Sequence, residues 1–323
     1  MGRMRPEGHV CTDGVPARGA DTSSGQAGAD GPGEDRRSYR HLCYPITIES
    51  RMPSYSAETY DHPSWLVRFP HRRRMQLVAD LLATKRPRRW LDFGAGDGAL
   101  IRHLLERGAL PDTEIVAYEP MPEMFRQLRE NLGDFAGRQL MLASDLGAVG
   151  PAAFDLVTAL EVLEHLRVKD RAAFYSLAAT CRPGGCLIEV PVETGPVLAL
   201  KEFGRVIIKR RRMQFTAKHL AKAIFGFNTG DAQGRYEDGA EGYIFTHFGF
   251  DLGTFEAELD RIGTWHKVLH CPFPMLPVGL NQCVMYELTV EPRDTAGIQQ
   301  AILGAVRSSA AASSHTDPKA TGL

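Results

Sequence analysis

The sequence predicts an α/β fold built on a mainly parallel sheet of seven strands, with helices on both faces and a helical cap insertion. Short apolar strand patterns alternate with helical patterns over residues 65–190, and this alternation is typical of parallel strands joined by helical crossovers. A glycine-rich turn follows the first strand, where sheets of this kind bind ligands. The pattern is interrupted at 192–246 and then resumes.

Residues 65–83 have apolar positions at helical spacing and a basic opposite face, which predicts an amphipathic helix. Seven strands are predicted, at 89–93, 114–119, 139–143, 154–160, 185–190, 265–270 and 282–290. Helices are predicted at 99–107, from the end of the second strand through Leu132, at 168–181 and at 251–262. Pro183 and the glycines after it end the helix that precedes the fifth strand.

The two ends of the chain differ in composition from its middle. Residues 1–50 are rich in Gly, Ala, Ser, Asp and Arg and poor in large apolar side chains, so we expect a disordered extension. Residues 292–323 predict a flexible tail with one short helix near 298–306. The folded domain is therefore expected to occupy residues 51–291.

Composition gives few clues to partners. The 323 residues include 38 Lys and Arg against 39 Asp and Glu, so no overall charge favours nucleic acid, and we expect no nucleic-acid partner. The six cysteines have no CxxC pair, which fits a reducing compartment and disfavours a structural zinc site. Because we find no signal peptide or membrane-spanning run, the expected location is cytoplasmic.

The strongest motif is LDFGAGDGAL at 91–100, on the turn from the first strand to the first crossover helix. Gly94, Gly96 and Gly98 keep this turn free of Cβ atoms, so a ligand can approach the backbone. The string GAGDGA also fits the GxGxxA pattern of dinucleotide sites, which leaves NAD as an alternative cofactor.

Acidic side chains follow the successive strands. Asp92 ends the first strand, where a carboxylate can meet an ammonium group, and Glu119 ends the second, where it can hold a ribose diol. Asp145 follows the third strand, where an adenine amino group could donate to it. The string EVLEH, with Glu161 and His165 at its ends, follows the fourth strand.

Together these motifs resemble the class I S-adenosylmethionine-dependent methyltransferases, in the small-molecule branch marked by an ExxEH string, and are similar to the ubiquinone-pathway O-methyltransferases. The resemblance is close over 65–190 and looser over 247–290, and it implies a Rossmann-like sheet that binds S-adenosylmethionine. The implied contacts are to methionine, ribose and adenine in turn. The residues are Asp92, Gly94, Ala95, Gly96 and Gly98 for methionine, Glu119 for ribose, and Met121, Asp145 and Leu146 for adenine, with Glu161 at the border of the pocket.

The ExxEH string has two interpretations. In the ubiquinone-pathway enzymes the two glutamates and the histidine are associated with a divalent cation, which implies a Mg²⁺ site at Glu161, Glu164 and His165. Alternatively, Glu161 borders the cofactor pocket, while Glu164 and His165 cap and pack a helix. A cation there would orient a catechol-like or diol acceptor and lower its hydroxyl pKa.

The candidate catalytic residues are His247, Glu161 and His165. His247, in YIFTHFGFD, stands where the chain rejoins the sheet, and a histidine can act as a general base near neutral pH. It is equally open to interpretation as a packing or hydrogen-bonding residue. Tyr243 and His62 are weaker candidates of the same kind.

The insertion contains a basic amphipathic stretch at 201–227, with eight Lys and Arg residues and one acidic residue. It is interpreted as a lid with a solvated basic face, as a surface that docks on anionic lipid, or as a contact for phosphates. The lipid interpretation adds peripheral membrane association to the expected location.

The sequence thus predicts methyl transfer from S-adenosylmethionine to a small-molecule or lipid-like acceptor, first at oxygen. Carbon or nitrogen of a sugar or other metabolite is the alternative, and RNA methylation is the next. A protein that binds S-adenosylmethionine without catalysis is the hypothesis from a different class.

Overall fold

The structure is a computed structural model that describes residues 55–137, 139–150, 153–207, 220–221, 224, 242–244, 247 and 250–314. The predicted disordered extension at 1–50 lies outside these residues, as does most of the basic stretch 201–227 beyond Ile207. Within the described residues, none of the helices combines the length and the apolar character needed to cross a bilayer.

The described residues form one sheet of seven strands, the number that the sequence predicted, in the order β3-β2-β1-β4-β5-β7-β6. Strands β1 to β5 are mutually parallel, and β7 runs antiparallel to its neighbours β5 and β6. The strands are β1 (Arg89–Phe93), β2 (Glu114–Tyr118), β3 (Leu140–Ala143), β4 (Leu156–Leu160), β5 (Cys186–Pro191), β6 (Gly263–Cys271) and β7 (Cys283–Val290).

Helices cover both faces of this sheet, which confirms the predicted architecture. They are α1 (Tyr55–Glu58), α2 (Trp65–Lys85), α3 (Ala99–Glu106), α4 (Pro122–Leu132), α5 (Leu146–Val149), α6 (Val168–Ala178), α7 (Pro196–Ile207), α8 (Leu252–Ile262) and α9 (Thr295–Ser314).

Each face of the sheet has its own hydrophobic core, because successive side chains of a strand point to opposite faces. Trp90 of β1 packs with residues of α2, α3 and α4. The next residue, Leu91, packs with residues of α6, α8 and α9 on the other face. Strands buried on both faces carry nearly continuous apolar runs, which is why the sequence identified them.

The end of the chain differs from the expectation of a flexible tail with a helix near 298–306. The structure shows the longer helix α9, whose residues Ile298, Ile302 and Val306 are buried at intervals of one helical turn. This stripe packs against α6 and α8, so α9 belongs to the folded domain. The Ser- and Ala-rich composition after Val306 concealed the full length of the helix, since the apolar stripe is narrow.

Candidate active site

The glycine turn joins β1 to α3 at the carboxyl edge of the sheet. Gly94, Gly96 and Gly98 have φ angles of +79°, +59° and +77°, in the left-handed region that glycine occupies without steric cost. The backbone N–H groups of Gly94 and Ala95 donate to the Tyr118 carbonyl oxygen at 2.8 and 2.9 Å. The turn is therefore held against β2 as well as β1.

The three glycines serve different purposes. A Cβ atom on Gly94 would lie 2.6 Å from Val162, and one on Gly98 would lie 2.6 Å from Leu132, so both positions are filled by the fold. A Cβ atom on Gly96 would have the Met124 methyl carbon, at 3.8 Å, as its nearest neighbour among the described residues. The space in front of Gly96 is thus open for a ligand.

This difference predicts opposite outcomes for two matched substitutions. Gly96→Ala adds backbone strain of about 1–2 kcal/mol but little overlap, so the protein folds, while its affinity for S-adenosylmethionine falls at least about tenfold because the methyl group occupies ligand space. Gly98→Ala overlaps buried Leu128 and Leu132, so it chiefly lowers the unfolding temperature. Calorimetric titration and thermal unfolding separate the two effects. Wild-type affinity in Gly96→Ala would show that the cofactor lies elsewhere.

Glu119, directly after β2, is held by the backbone at this edge. Its two carboxylate oxygens accept from the N–H groups of Gly96 and Met121, both at 2.9 Å. The side chain is buried, and burial raises its pKa. Each carboxylate oxygen keeps a further lone pair, so the fixed carboxylate suits a pair of vicinal hydroxyls such as a ribose diol.

Asp92, at the end of β1, is also buried. Its Oδ1 accepts from the Thr158 hydroxyl of β4 at 2.7 Å, and that hydroxyl in turn accepts from the Trp90 indole N–H at 2.9 Å. Burial raises the pKa of Asp92 to about 6, and the nearby Glu119 carboxylate contributes to the shift. An ammonium group bound beside Asp92 would relieve this unfavourable negative charge.

The raised pKa of Asp92 predicts a pH dependence of cofactor binding. An ionised Asp92 attracts the methionine ammonium, and a protonated one does not, so affinity falls as the pH drops through about 6. The loss approaches about tenfold per pH unit below the pKa. Titrations between about pH 5 and about pH 7 should show this slope in the wild type. Asp92→Asn removes the Asp92 contribution while Glu119 still titrates, so superimposable profiles would contradict the assignment.

The adenine side of the site is formed at the next strand. Asp145, after β3, is exposed and caps α5 by accepting from the Gly147 N–H. Leu146 is half-buried and packs against the core. Met121 directly precedes α4 as its N-cap residue and is also half-buried. The acidic residues predicted for methionine, ribose and adenine, which are Asp92, Glu119 and Asp145, therefore stand at the carboxyl ends of β1, β2 and β3 along one edge.

Helix α2 contributes to this edge a residue that the sequence analysis did not select. Arg74 of α2 donates from Nε to Glu189 Oε2 of β5 at 2.7 Å and from Nη1 to the Tyr55 hydroxyl at 3.1 Å. Its side chain is only 12% exposed, although the sequence analysis assigned it to the basic face, opposite the apolar positions of the helix. Arg74 thus sets one positive charge among the carboxylates of the site.

A second contact fixes α1 over the glycine turn. The backbone N–H and the hydroxyl of Ser56 donate to Asp97 Oδ2 at 2.9 and 2.6 Å. Asp97 is buried, and its carbonyl oxygen accepts from the Asn131 side chain at 2.8 Å. The aspartate within GAGDG is the sequence signal for this contact, because it is a charged residue inside an otherwise small-residue turn.

The EVLEH string lies after β4 and forms a 3₁₀ turn at Leu163–His165 rather than the start of a long helix. Glu161 has a φ of +60°, an unusual conformation for a residue with a Cβ atom, and its N–H donates to the Glu189 carbonyl at 2.9 Å. Strained residues of this kind cluster at functional sites. Glu164 is fully buried, and His165 is half-buried.

A cluster of possible metal ligands forms from Glu164, His165 and His247, whose ligand atoms lie within 4.8 Å of one another. The two Nε2 atoms of the histidines are 3.3 Å apart. A Glu164 carboxylate oxygen lies 3.7 Å from His165 Nε2 and 3.9 Å from His247 Nε2. The structure thus brings His247 into this cluster in the place where the resemblance implied Glu161.

The other ring nitrogens fix the orientation of both histidines. His165 Nδ1 lies 2.6 Å from the Ile244 carbonyl oxygen, and His247 Nδ1 lies 3.1 Å from Glu193 Oε1. A carbonyl and a carboxylate accept, so each Nδ1 carries the proton. In the neutral rings both Nε2 lone pairs then face each other and the Glu164 carboxylate. A cation or a shared proton between these atoms would satisfy both lone pairs.

Glu193 and Lys201 form an ion pair beside His247, and the sequence analysis did not select either as a site residue. Lys201 Nζ of α7 donates to Glu193 Oε1 at 3.0 Å and to the Val192 carbonyl at 3.2 Å. Burial alone would raise the pKa of Glu193, but the Lys201 ammonium and His247 together lower it to about 2. Glu193 therefore stays ionised and keeps the His247 ring in place.

Of the two weaker sequence candidates, one lies at the site and the other does not. Tyr243 stacks on His165, with ring centroids 4.8 Å apart, and so lies at the site. His62 instead accepts from the Ser64 backbone N–H at 3.0 Å and supports the turn before α2.

Comparison with known proteins agrees with this geometry. Residues 91–187, which hold the glycine turn, Glu119 and the ExxEH string, match the family model described as "Methyltransferase domain". This segment of the chain is therefore similar to a methyltransferase domain. A search of curated proteins finds no match to the sequence.

Solved structures of similar fold include several methyltransferases. The methyltransferase domain of bacterial CtHen1 is 16% identical, over 67% of this chain and 97% of that chain, with a TM-score of 0.43. An O-methyltransferase family protein from Burkholderia thailandensis is 12% identical, over 73% and 64% of the two chains, with a TM-score of 0.40. The CurJ carbon methyltransferase is 14% identical, over 67% and 54%, with a TM-score of 0.41.

Proposed function

We propose that this enzyme methylates a hydroxyl oxygen of a small-molecule or lipid-like acceptor, and that Glu164, His165 and His247 hold a divalent cation beside the acceptor. The observation that carries the proposal is the convergence of two Nε2 lone pairs and a buried carboxylate. Burial next to Glu161 raises the pKa of Glu164 to about 8, and a cation bound beside this carboxylate would stabilise its ionised form.

The donor set bears on the identity of the cation. Two imidazoles and one carboxylate suit Mn²⁺, Co²⁺ or Zn²⁺, whereas Mg²⁺ prefers oxygen ligands and retains several waters. The donors therefore favour a transition metal over the Mg²⁺ ion that the resemblance implied. A bound cation of this kind supplies Lewis acidity that lowers the pKa of a nearby hydroxyl.

The chain's own residues have separate tasks in the proposed reaction. Asp92 and Glu119 hold the cofactor so that its methyl group faces the acceptor, which turns methyl transfer into a reaction between positioned partners. The acceptor oxygen forms a bond to the methyl carbon as the carbon–sulfur bond breaks. In this proposal Glu161, which directly follows β4 and lies outside the ligand cluster, accepts the hydroxyl proton.

The basic stretch 201–227 fits a lipid-like acceptor as well. Helix α7, which overlaps the start of this stretch, exposes Leu200, Phe203 and Ile207, while Lys201 anchors it to Glu193. An exposed apolar helix face beside the site suits a hydrophobic acceptor or a membrane surface.

The test is transfer of a labelled methyl group to a panel of catechols and vicinal diols, with and without EDTA. We expect label in an ether product, loss of turnover on chelation and recovery on addition of Mn²⁺. Glu164→Gln should lose turnover in the same assay, while Asp112→Asn, an exposed carboxylate before β2, should not. Full activity of Glu164→Gln in EDTA would refute the cation role.

A further inference from the structure

An exposed apolar surface lies on α2 and on the β6–β7 loop, apart from the insertion. We call the set Trp65, Leu66, Phe69, Phe273, Met275 and Leu276 the apolar rim. Trp65 stacks on Phe69 with ring centroids 5.0 Å apart, and Phe69 lies 6.1 Å from Phe273, so the two segments form one surface. Trp65, Leu66 and Met275 are 59%, 64% and 94% exposed.

The rim is located at the same edge of the sheet as the active site. The loop that carries Phe273 and Met275 joins β6 to β7, and Cys283 at the start of β7 pairs with Pro191 at the carboxyl end of β5. Arg74, on the same helix as Trp65, reaches Glu189 in the site. A surface bound at the rim would therefore face the acceptor side.

Positive charge surrounds these apolar side chains. A groove of about 400 Å³ is lined by Trp65, Arg68, Phe69, Arg72, Arg73 and Gln76. Arg72 and Arg73 are exposed, and Arg72 also pairs with the exposed Asp61 at 3.2 Å. Arginines beside interfacial tryptophan and phenylalanine match an anionic headgroup layer above an acyl layer.

We propose that the apolar rim and its arginines dock this enzyme on an anionic phospholipid surface. Charge decides between the candidate occupants: a second copy of the chain would bring arginines of the same groove together across a two-fold contact, which is unfavourable, whereas lipid phosphates attract them. Pro272, Pro274 and Pro277 restrict the backbone around Met275, so the loop presents its side chain at little cost in conformational entropy. The docking does not depend on which atom is methylated.

The test is co-sedimentation of the full chain with vesicles of phosphatidylcholine alone or mixed with phosphatidylglycerol. We expect binding to the mixed vesicles that weakens as salt is raised, and a blue shift of tryptophan emission that is lost in Trp65→Phe. Met275→Ser should reduce the partition coefficient about tenfold, since a methionine side chain leaves the lipid. Arg73→Glu should reduce it by a similar factor.

Two matched controls carry the same chemical changes elsewhere. Met141→Ser alters a methionine that is 40% exposed on β3, the outermost strand on the side of the sheet away from β6 and β7. Arg182→Glu alters an exposed arginine before β5, at the opposite end of the strands. Both should bind like the wild type. Equal binding of Met275→Ser and the wild type, no binding of the wild type to anionic vesicles, or a dimer that Met275→Ser dissociates would overturn the proposal. Methyl transfer to a soluble catechol should be unchanged in Met275→Ser, which separates this test from that of the proposed reaction.

Discussion

Replacement of Arg171 by methionine is expected to lower the free energy of unfolding by about 3–5 kcal/mol, the cost of leaving a buried carboxylate without its partner. Arg171 of α6 and Glu258 of α8 are fully buried, and Arg171 Nη1 lies 2.6 Å from Glu258 Oε2. The Tyr175 hydroxyl donates to the other Glu258 oxygen at 2.7 Å, and Arg171 Nε donates to the Leu163 carbonyl at 2.9 Å. The pair thus joins two helices to the turn that carries Glu164.

Chemical denaturation measures this loss. Arg102→Met is the matched control, because Arg102 pairs with Glu106 on the exposed surface of α3 and its removal should cost less than about 1 kcal/mol. The double variant Arg171→Met/Glu258→Leu should recover part of the stability, since no unpaired charge remains. Equal midpoints for Arg171→Met and Arg102→Met would contradict the structural role.

His247→Ala is expected to weaken Mn²⁺ binding by more than about 100-fold, because loss of a direct ligand exceeds the 10–100-fold effect of an outer hydrogen-bond partner. Glu193→Gln tests that outer partner, since Glu193 orients His247 without joining the ligand cluster. We expect it to weaken Mn²⁺ binding by about 10–100-fold. Calorimetric titration of Mn²⁺ into the ligand-free protein measures both without any acceptor.

The control for these variants is His266→Ala, which removes an imidazole that is 65% exposed on β6. It should bind Mn²⁺ like the wild type. Affinity for S-adenosylmethionine should persist in His247→Ala, because the glycine turn and Glu119 are held by backbone hydrogen bonds that do not involve His247. If His247→Ala and His266→Ala bind Mn²⁺ equally well, the cluster does not hold the cation.

The sheet could be predicted from the sequence because buried parallel strands carry local apolar runs bounded by turn residues. Strand β1 begins and ends at the predicted residues Arg89 and Phe93. The shared edge of Asp92 and Glu119 could be predicted from position alone, since both stand at the carboxyl ends of strands. Long-range contacts were less accessible: among the arginines of HRRRM, the inward position of Arg74 depends on Glu189, 115 residues later in the chain.

The acceptor side shows the same limit. The ExxEH string identified Glu164 and His165, but the third member of the cluster is His247, which is brought there by backbone hydrogen bonding between Ile244 and His165. Glu193 and Lys201 belong to no motif, and their importance appears once they surround His247. The predicted set with Glu161 followed sequence adjacency, whereas the cluster follows spatial convergence.

The most direct test of the central assignment is calorimetric titration of S-adenosylmethionine and S-adenosylhomocysteine into the wild type, Asp92→Ala and Asp112→Ala. Asp92 is buried near the carboxyl ends of the parallel strands, whereas Asp112 is exposed before β2, at their amino ends. The account predicts binding of both ligands by the wild type and Asp112→Ala, and a loss of at least about tenfold in Asp92→Ala. Absence of binding by the wild type, or equal affinity in Asp92→Ala, would contradict it.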